Sequence, residues 1–277
     1  MRIHRDMLPR FDFLIGWALA TALAVVVSQA LARPDGSIAL IWLGNAVQLA
    51  ALLLAPKRHW LVLMTVFAVI QVTVLYAWWS PLGMAVGGTV ANTVEVLLAA
   101  YVLAPDRDWI EGRLDRLSSW IRFGVWGVVI APVIGTAIGT AAVVMFYELP
   151  PTYGVISNTA IQWYITDAMA ISVVVPLILR LRPRGLRPLR NRNEAVRAGI
   201  TLTVLIVVSV VVFSSESFLP LFLVPLPLVV LLFRSGFAGL AVGMAVLTAI
   251  ALGLTRAGYG PLQVVADGDP TRALLPC

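Results

Sequence analysis

Charge is scarce in this chain, and the little there is falls in bunches. Of 277 residues only 12% are Asp, Glu, Lys or Arg, against about 25% in a soluble domain. Apolar runs of bilayer-crossing length separate the charged clusters. Both features exclude an ordinary soluble globular domain. Cysteine is almost absent. The single thiol, Cys277, rules out an internal disulfide and says nothing of redox compartment. The two histidines, His4 and His59, lie far apart beside basic residues. Haem or a structural metal needs paired buried ligands, so neither a metal nor any other cofactor is expected. No nucleotide fingerprint, nucleophile elbow, zinc motif or phosphate loop occurs. No catalytic residue is therefore nominated, and the chain itself is not expected to be an enzyme. No Lys or Arg lies in the middle of an apolar run.

What is present is hydrocarbon. Apolar residues make up 60% of the chain, and the mean hydropathy is +0.92. This composition predicts an all-α, polytopic transmembrane helical bundle of about eight to ten spans. The net charge of +6 then reflects basic span ends and not a nucleic-acid footprint, and the partners to expect are membrane lipids.

Nine spans are predicted, at about 11–32, 38–55, 60–79, 83–104, 123–146, 159–181, 199–213, 218–233 and 237–255. The first is too long for a signal-peptide core and ends in no convincing cleavage site. The seventh and eighth are short enough to be re-entrant. Pro220, Pro225 and Pro227 predict a kinked or broken eighth span. Between the fourth and fifth, residues 105–122 carry Trp109, Ile110, Leu114, Leu117 and Ile121 at helical spacing, which predicts an amphipathic surface helix. Arg33–Gly36 and the loop at 148–158 are read as turn and loop. Glu216 belongs to an outer turn. Gly135 and Gly139, four apart, predict a close helix contact. Trp78 and Trp79 suit an interfacial aromatic belt.

With the N-terminus in the cytoplasm, every Lys and Arg falls on the inner side except Arg33, Arg256 and Arg272. This bias is the positive-inside pattern. An odd span count leaves the C-terminal end outside. The last residues, 273–277, read as the start of a further span, so a truncation before that span and before a cytoplasmic output domain is expected. Residues 1–277 are read as one integral membrane domain.

Glu95 and Asp167 are the two acids placed well inside the membrane. A carboxylate there costs roughly 2.5 kcal/mol or more on insertion scales. Asn92 lies one turn before Glu95. Asn45 and Gln48 share a face of the second span, and Gln71 lies in the middle of the third. Gln162 and Trp163 precede Asp167, and Trp42 opens the second span. Glu95, Asp167, Trp163, Asn92, Asn45, Gln48, Gln162 and Trp42 are the candidate ligand-binding or signal-sensing residues. Two roles fit the acids. They bind a cation, a proton or a polar ligand, or they make structural hydrogen bonds to Asn and Gln side chains on neighbouring helices. For Trp42, Trp163 and Tyr164, interfacial anchoring competes with walling a ligand pocket.

Four stretches together resemble the first membrane-associated sensor (MASE) domain family. IWLGNAVQLAALLLAPKRHW at 41–60 resembles its second-span pattern, without the Pro and Gly common after the Trp. GGTVANTVEVLLAAYVL at 87–103 resembles its Asn-x-x-Glu signature, here Asn92 and Glu95. WYITDAMAISVVVPLIL at 163–179 resembles its Trp…Asp…Pro pattern, here Trp163, Asp167 and Pro176, with Ala170 where Gly is usual. PLPLVVLLFRSGFAGLAVG at 225–243 resembles its Pro-rich span followed by Arg-x-Gly, and GlyTyrGlyPro at 258–261 fits as well. The resemblance implies a sensory module of the bacterial inner membrane that relays an outer or intramembrane signal to a cytoplasmic diguanylate cyclase or histidine kinase. It also implies a homodimer, because such outputs act as dimers. The small ligand is unknown, and no nucleic acid is implied. The competing reading is a small-molecule or ion transporter built on the intramembrane carboxylates. A third is a platform for dimerisation and membrane placement.

Overall fold

A computed structural model describes residues 10–31, 41–78, 80–106, 117–184, 192–215 and 223–260. All regular structure among them is helical. Eight helices are distinguished: α1 (Phe11–Ala30), α2 (Leu43–Leu54), α3 (Trp60–Ala77), α4 (Leu82–Leu103), α5 (Leu117–Phe146), α6 (Tyr153–Arg184), α7 (Arg192–Ser214) and α8 (Pro225–Arg256). Six segments are long and apolar enough to cross a membrane: α1, Lys57–Ala77, α4, α5, Tyr153–Leu179 and Val196–Ser214. Shorter apolar helical segments occur at Leu43–Leu54, Pro225–Ser235 and Val242–Arg256. This is a multi-pass membrane protein. Its exposed surface carries the residues expected against lipid, such as Leu19, Leu61, Val90, Ile165 and Val207.

The chain divides into two compact units, Met1–Leu179 and Arg180–Cys277. In the first, α1 packs on α2 and α3, and α4 packs on α2, α3 and α5. α2 departs from the expected span. It has only 12 residues, about 18 Å of helix, too short for a hydrocarbon core of about 30 Å. Its residues from Gly44 to Leu53 are all buried. Tertiary partners satisfy the donors at its start. Leu43 N–H donates to Ser28 Oγ (2.9 Å), and Trp42 N–H donates to the Thr166 carbonyl (3.3 Å), midway along the apolar length of α6. α2 therefore begins inside the bundle, where water cannot serve its free N–H groups.

α5 runs unbroken from Leu117. The last turn of the expected surface helix is thus the start of the fifth span, and residues 107–116 lie outside the described set. Phe123–Ile130 is π-helical, and Ala131 N–H donates to the Trp126 carbonyl five residues back. Pro132 explains the placement. It has no N–H, and its ring disfavours the normal position of the carbonyl four residues earlier, so the widened turn removes a conflict. α5 lies antiparallel to α4. Gly83 faces Phe146, Gly87 faces Ala142, Glu95 faces Gly135 and Leu103 faces Gly127. α6 starts at Tyr153, so the second half of the expected 148–158 loop is helix.

In the second unit, α7 packs on α8 through Val208, Val212 and Phe213 against Val224, Leu228, Leu247, Ala251 and Leu254. α8 is sharply bent. A Cβ at Gly239 would lie 3.1 Å from the Leu231 carbonyl, and one at Gly243 would lie 2.6 Å from the Leu231 side chain. A straight helix would hold residues 231 and 243 about 18 Å apart. The eighth and ninth expected spans are therefore two short arms of one folded-back element. Gly260 takes φ +92 and abuts the Phe213 carbonyl, where no Cβ fits. The expectations at Arg33–Gly36, Trp79, Glu216, Pro220 and 273–277 fall outside the described residues.

Candidate functional site

Polar side chains inside a membrane bundle need partners, because lipid supplies none. Three helices supply them here. Trp42 Nε1 donates to Asn45 Oδ1 (3.1 Å), Asn45 Nδ2 donates to Asn92 Oδ1 (3.2 Å), and Asn92 Nδ2 donates to Gln71 Oε1 (3.1 Å). This chain of amides stitches α2, α3 and α4 together. The short reversals at 55–59 and 78–81 place residues 45, 71 and 92 at one depth, which is why three separate helices can meet there. Asn45, Gln71 and Asn92 are all buried.

One turn beyond Asn92 on α4 is Glu95, fully buried. Its carboxyl meets that of Asp167 on α6, with the Asn45 amide beside Glu95 and the Trp163 indole beside Asp167. Two features of α5 admit this meeting. Gly135 has no side chain where the Glu95 carboxyl lies, and a Cβ there would overlap it. Gly139 lets the Trp163 ring rest on the α5 backbone, where a Cβ would come within 2.6 Å of the ring. The expected small-residue contact at Gly135 and Gly139 is thus present, and it is the wall of the site.

By strict hydrogen-bond geometry none of the four carboxyl oxygens of Glu95 and Asp167 has a partner, so the Asn45 amide and the Trp163 indole stand beside them as the nearest donors without a well-formed bond. As ionised groups the two are acceptors only, so their contact is not in itself a hydrogen bond. Buried without a partner near them in the sequence order of the helices are both polar atoms of Gln48 and the hydroxyls of Thr136 and Thr140. Gln48 follows Asn45 by one turn, as Glu95 follows Asn92, and α2 and α4 run the same way. Gln48 therefore stands at the level of Glu95. The start of α2 carries the positive end of its helix dipole, equivalent to roughly half a charge. It is tethered at Thr166, the residue before Asp167. No Lys, Arg or His occurs on α2, on α4, in Trp60–Ala77, in 123–146 or in 153–179.

Of the residues nominated from sequence, Glu95, Asp167, Asn92, Asn45, Trp163 and Trp42 come together, and Gln48 joins them by depth. Gln162 does not. It is exposed on α6, turned by about 100° from the buried face of Trp163, Asp167 and Ala170. Gln71, Gly135, Gly139, Thr136 and Thr140 belong to the same region. Gln71 and the two glycines were visible as a mid-span amide and a small-residue pair, whereas nothing in the sequence singles out the threonines. Among the described residues no group of three or more His, Cys, Asp or Glu is placed to hold a metal. Replacing Asn92 with Leu removes the hub of the amide chain and strands Asn45 and Gln71. A loss of about 1 kcal/mol is expected, from two intramembrane hydrogen bonds at about 0.6 each. Thermal unfolding of the purified protein in detergent reads it, and an unchanged midpoint would show the chain to be ornamental.

Compared with known proteins, the chain matches the family model MASE1 over residues 13–271. No curated protein and no solved structure matches it.

Proposed function

Because the chain belongs to the MASE1 family of membrane sensory domains, we propose that it relays a signal received in the bundle to a cytoplasmic output, either a diguanylate cyclase or a histidine kinase. On this reading it works in the bacterial inner membrane as a homodimer, with its N-terminus in the cytoplasm and as one integral domain across its length. The observation that carries the reading is the buried, donor-poor carboxyl pair of Glu95 and Asp167, set among amides from three helices. A group that binds there changes the contacts of α2, α4, α5 and α6 at once. Binding shifts the bundle only if its two packings hold that group with different affinity. In the intact protein, Asp167→Asn is expected to change output several-fold while expression and membrane insertion stay normal. Wild-type output from a normally inserted variant removes Asp167 from the relay.

A second reading, a transporter for a small ion or molecule, is favoured by α2, which begins inside the bundle with its N-terminal end at Thr166. Discontinuous helices of this sort build midplane sites in secondary transporters. Uptake by liposomes carrying the chain alone tests it. Absence of flux for protons, alkali cations and small organic cations rejects it.

A further inference from the structure

We propose that Glu95 and Asp167 form a proton-binding site, in which one proton held between the two carboxyls is the ligand of this domain. The inference rests on the sensory reading above and names its ligand. The argument begins with hydrogen-bond capacity. Two ionised carboxylates offer acceptors only, and no protein donor is in good hydrogen-bond geometry with these oxygens, the Asn45 amide and the Trp163 indole being the nearest. A single proton turns one carboxyl into a donor toward the other. The O–H stays on one residue, its hydrogen bond reaches the partner oxygen, and the net charge of the pair falls from two negatives to one. The dipole at the start of α2 offsets part of the remainder.

Space and ligand count then select the proton over larger cations. Gly135 lies so close to the Glu95 carboxyl that even a methyl group is excluded, and both acids are at most 1% exposed. On the α5 side no room is left for an organic cation. Calcium takes six to eight oxygens at about 2.3–2.6 Å and magnesium an octahedron at about 2.0–2.1 Å, and the described residues supply no third acidic or histidine ligand.

Among the described residues of α2 to α6 that surround the pair, no Lys, Arg, His or further acid lies within the apolar lengths to compete for the proton. α2 and α3 carry none between Leu43 and Leu54 or between Trp60 and Ala77, apart from the phenol of Tyr76, which is exposed. α4 adds the exposed Tyr101. α5 adds none within 123–146. α6 adds Tyr153, exposed at its start, and Tyr164, half-buried one turn before Asp167.

The test is infrared spectroscopy of the full chain in lipid nanodiscs at neutral pH. The wild type is expected to show the carbonyl stretch of a protonated carboxylic acid. The Glu95→Gln/Asp167→Asn variant, which keeps size and hydrogen-bonding shape, is expected to lose it. Should that variant misfold, each single substitution serves, because either one destroys the shared position and must shift the band. No acid band in the wild type, or a band unmoved by the substitutions, overturns the proposal. So does a band abolished by sodium or calcium chloride but not by choline chloride at equal ionic strength, since a metal ion then occupies the site. Output of the intact protein, read across a step in external pH, separates the two claims. A band with pH-independent output leaves the proton site standing and removes it from the relay. Output altered by Asp167→Asn without a band keeps the relay and removes the proton.

Discussion

Gly139→Ala is expected to destabilise the protein by about 2–3 kcal/mol, the upper range for overpacking a filled interior. The new methyl would sit 2.6 Å from ring carbons of Trp163, and no flexible chain end is there to swing aside. Trp163 is itself buried, in a cluster with Met84, Ala91, Ala142 and Val143. The ring can escape only by parting α5 from α6, and that also disturbs Asp167 one turn along. Gly135→Ala is expected to follow the same course, because its methyl would come within 3.0 Å of Glu95 Cβ as well as against the carboxyl. The fold supplies its own controls. At Gly16, Gly124 and Gly154 nothing lies within 4 Å of where a Cβ would sit. At those positions Ala is expected to be neutral or stabilising, since Gly is the poorer helix former by about 1 kcal/mol. Unfolding midpoints in one detergent decide the matter. If Gly139→Ala melts with Gly124→Ala, the close approach of α5 to Trp163 is wrong.

The second large effect runs the other way. Replacing both acids, Glu95→Leu with Asp167→Leu, is expected to make the protein more stable by about 1–4 kcal/mol while silencing its output. Buried charged groups recover their desolvation cost only with full hydrogen bonding, and apolar replacements of similar volume are often stabilising. Here the carboxyl oxygens have no protein donor in good hydrogen-bond geometry. Leucine roughly matches either side chain in bulk and needs no partner. A midpoint below that of the wild type would mean that the acids hold the bundle together, and that the structural hydrogen-bond role is the correct one. A raised midpoint with retained output would strip the pair of its sensory role.

Most of the bundle could be read directly from the chain, because span length and hydropathy are imposed by the bilayer itself. α1, α3 and α4 begin or end within two residues of expectation. The exceptions have separate causes. α2 is short because Ser28 and Thr166 satisfy its first donors, and no local pattern announces such partners. Tyr153–Asn158 joins α6 although Ser157 and Asn158 look like loop. The two arms of α8 are one element because Gly239 and Gly243 let the backbone return on itself. The site was legible to the extent that polar residues in apolar runs must find one another. Glu95, Asp167, Asn92 and Asn45 did so. Gln162 is as polar and as deep in sequence as its neighbour Trp163, but a step of one residue on a helix turns the side chain by about 100°. Periodicity gives that angle only when the facing helix is known.

The π-helical stretch of α5 has a further consequence, for the tolerance of the chain to lost residues. Its hydrogen bonds reach five residues back where an α-helix reaches four, so each turn holds an extra residue. Deleting one residue from Gly124–Val129 lets that turn close as ordinary helix, leaving Gly135 and Gly139 in phase with Glu95 and Trp163. The same deletion between Ile138 and Ala142 has no slack to draw on. It swings the far half of the helix round by a full residue step and takes the glycine wall apart. The stretch behaves as a splice with spare length, and a scan of single-residue deletions along α5 should find its permissive window there.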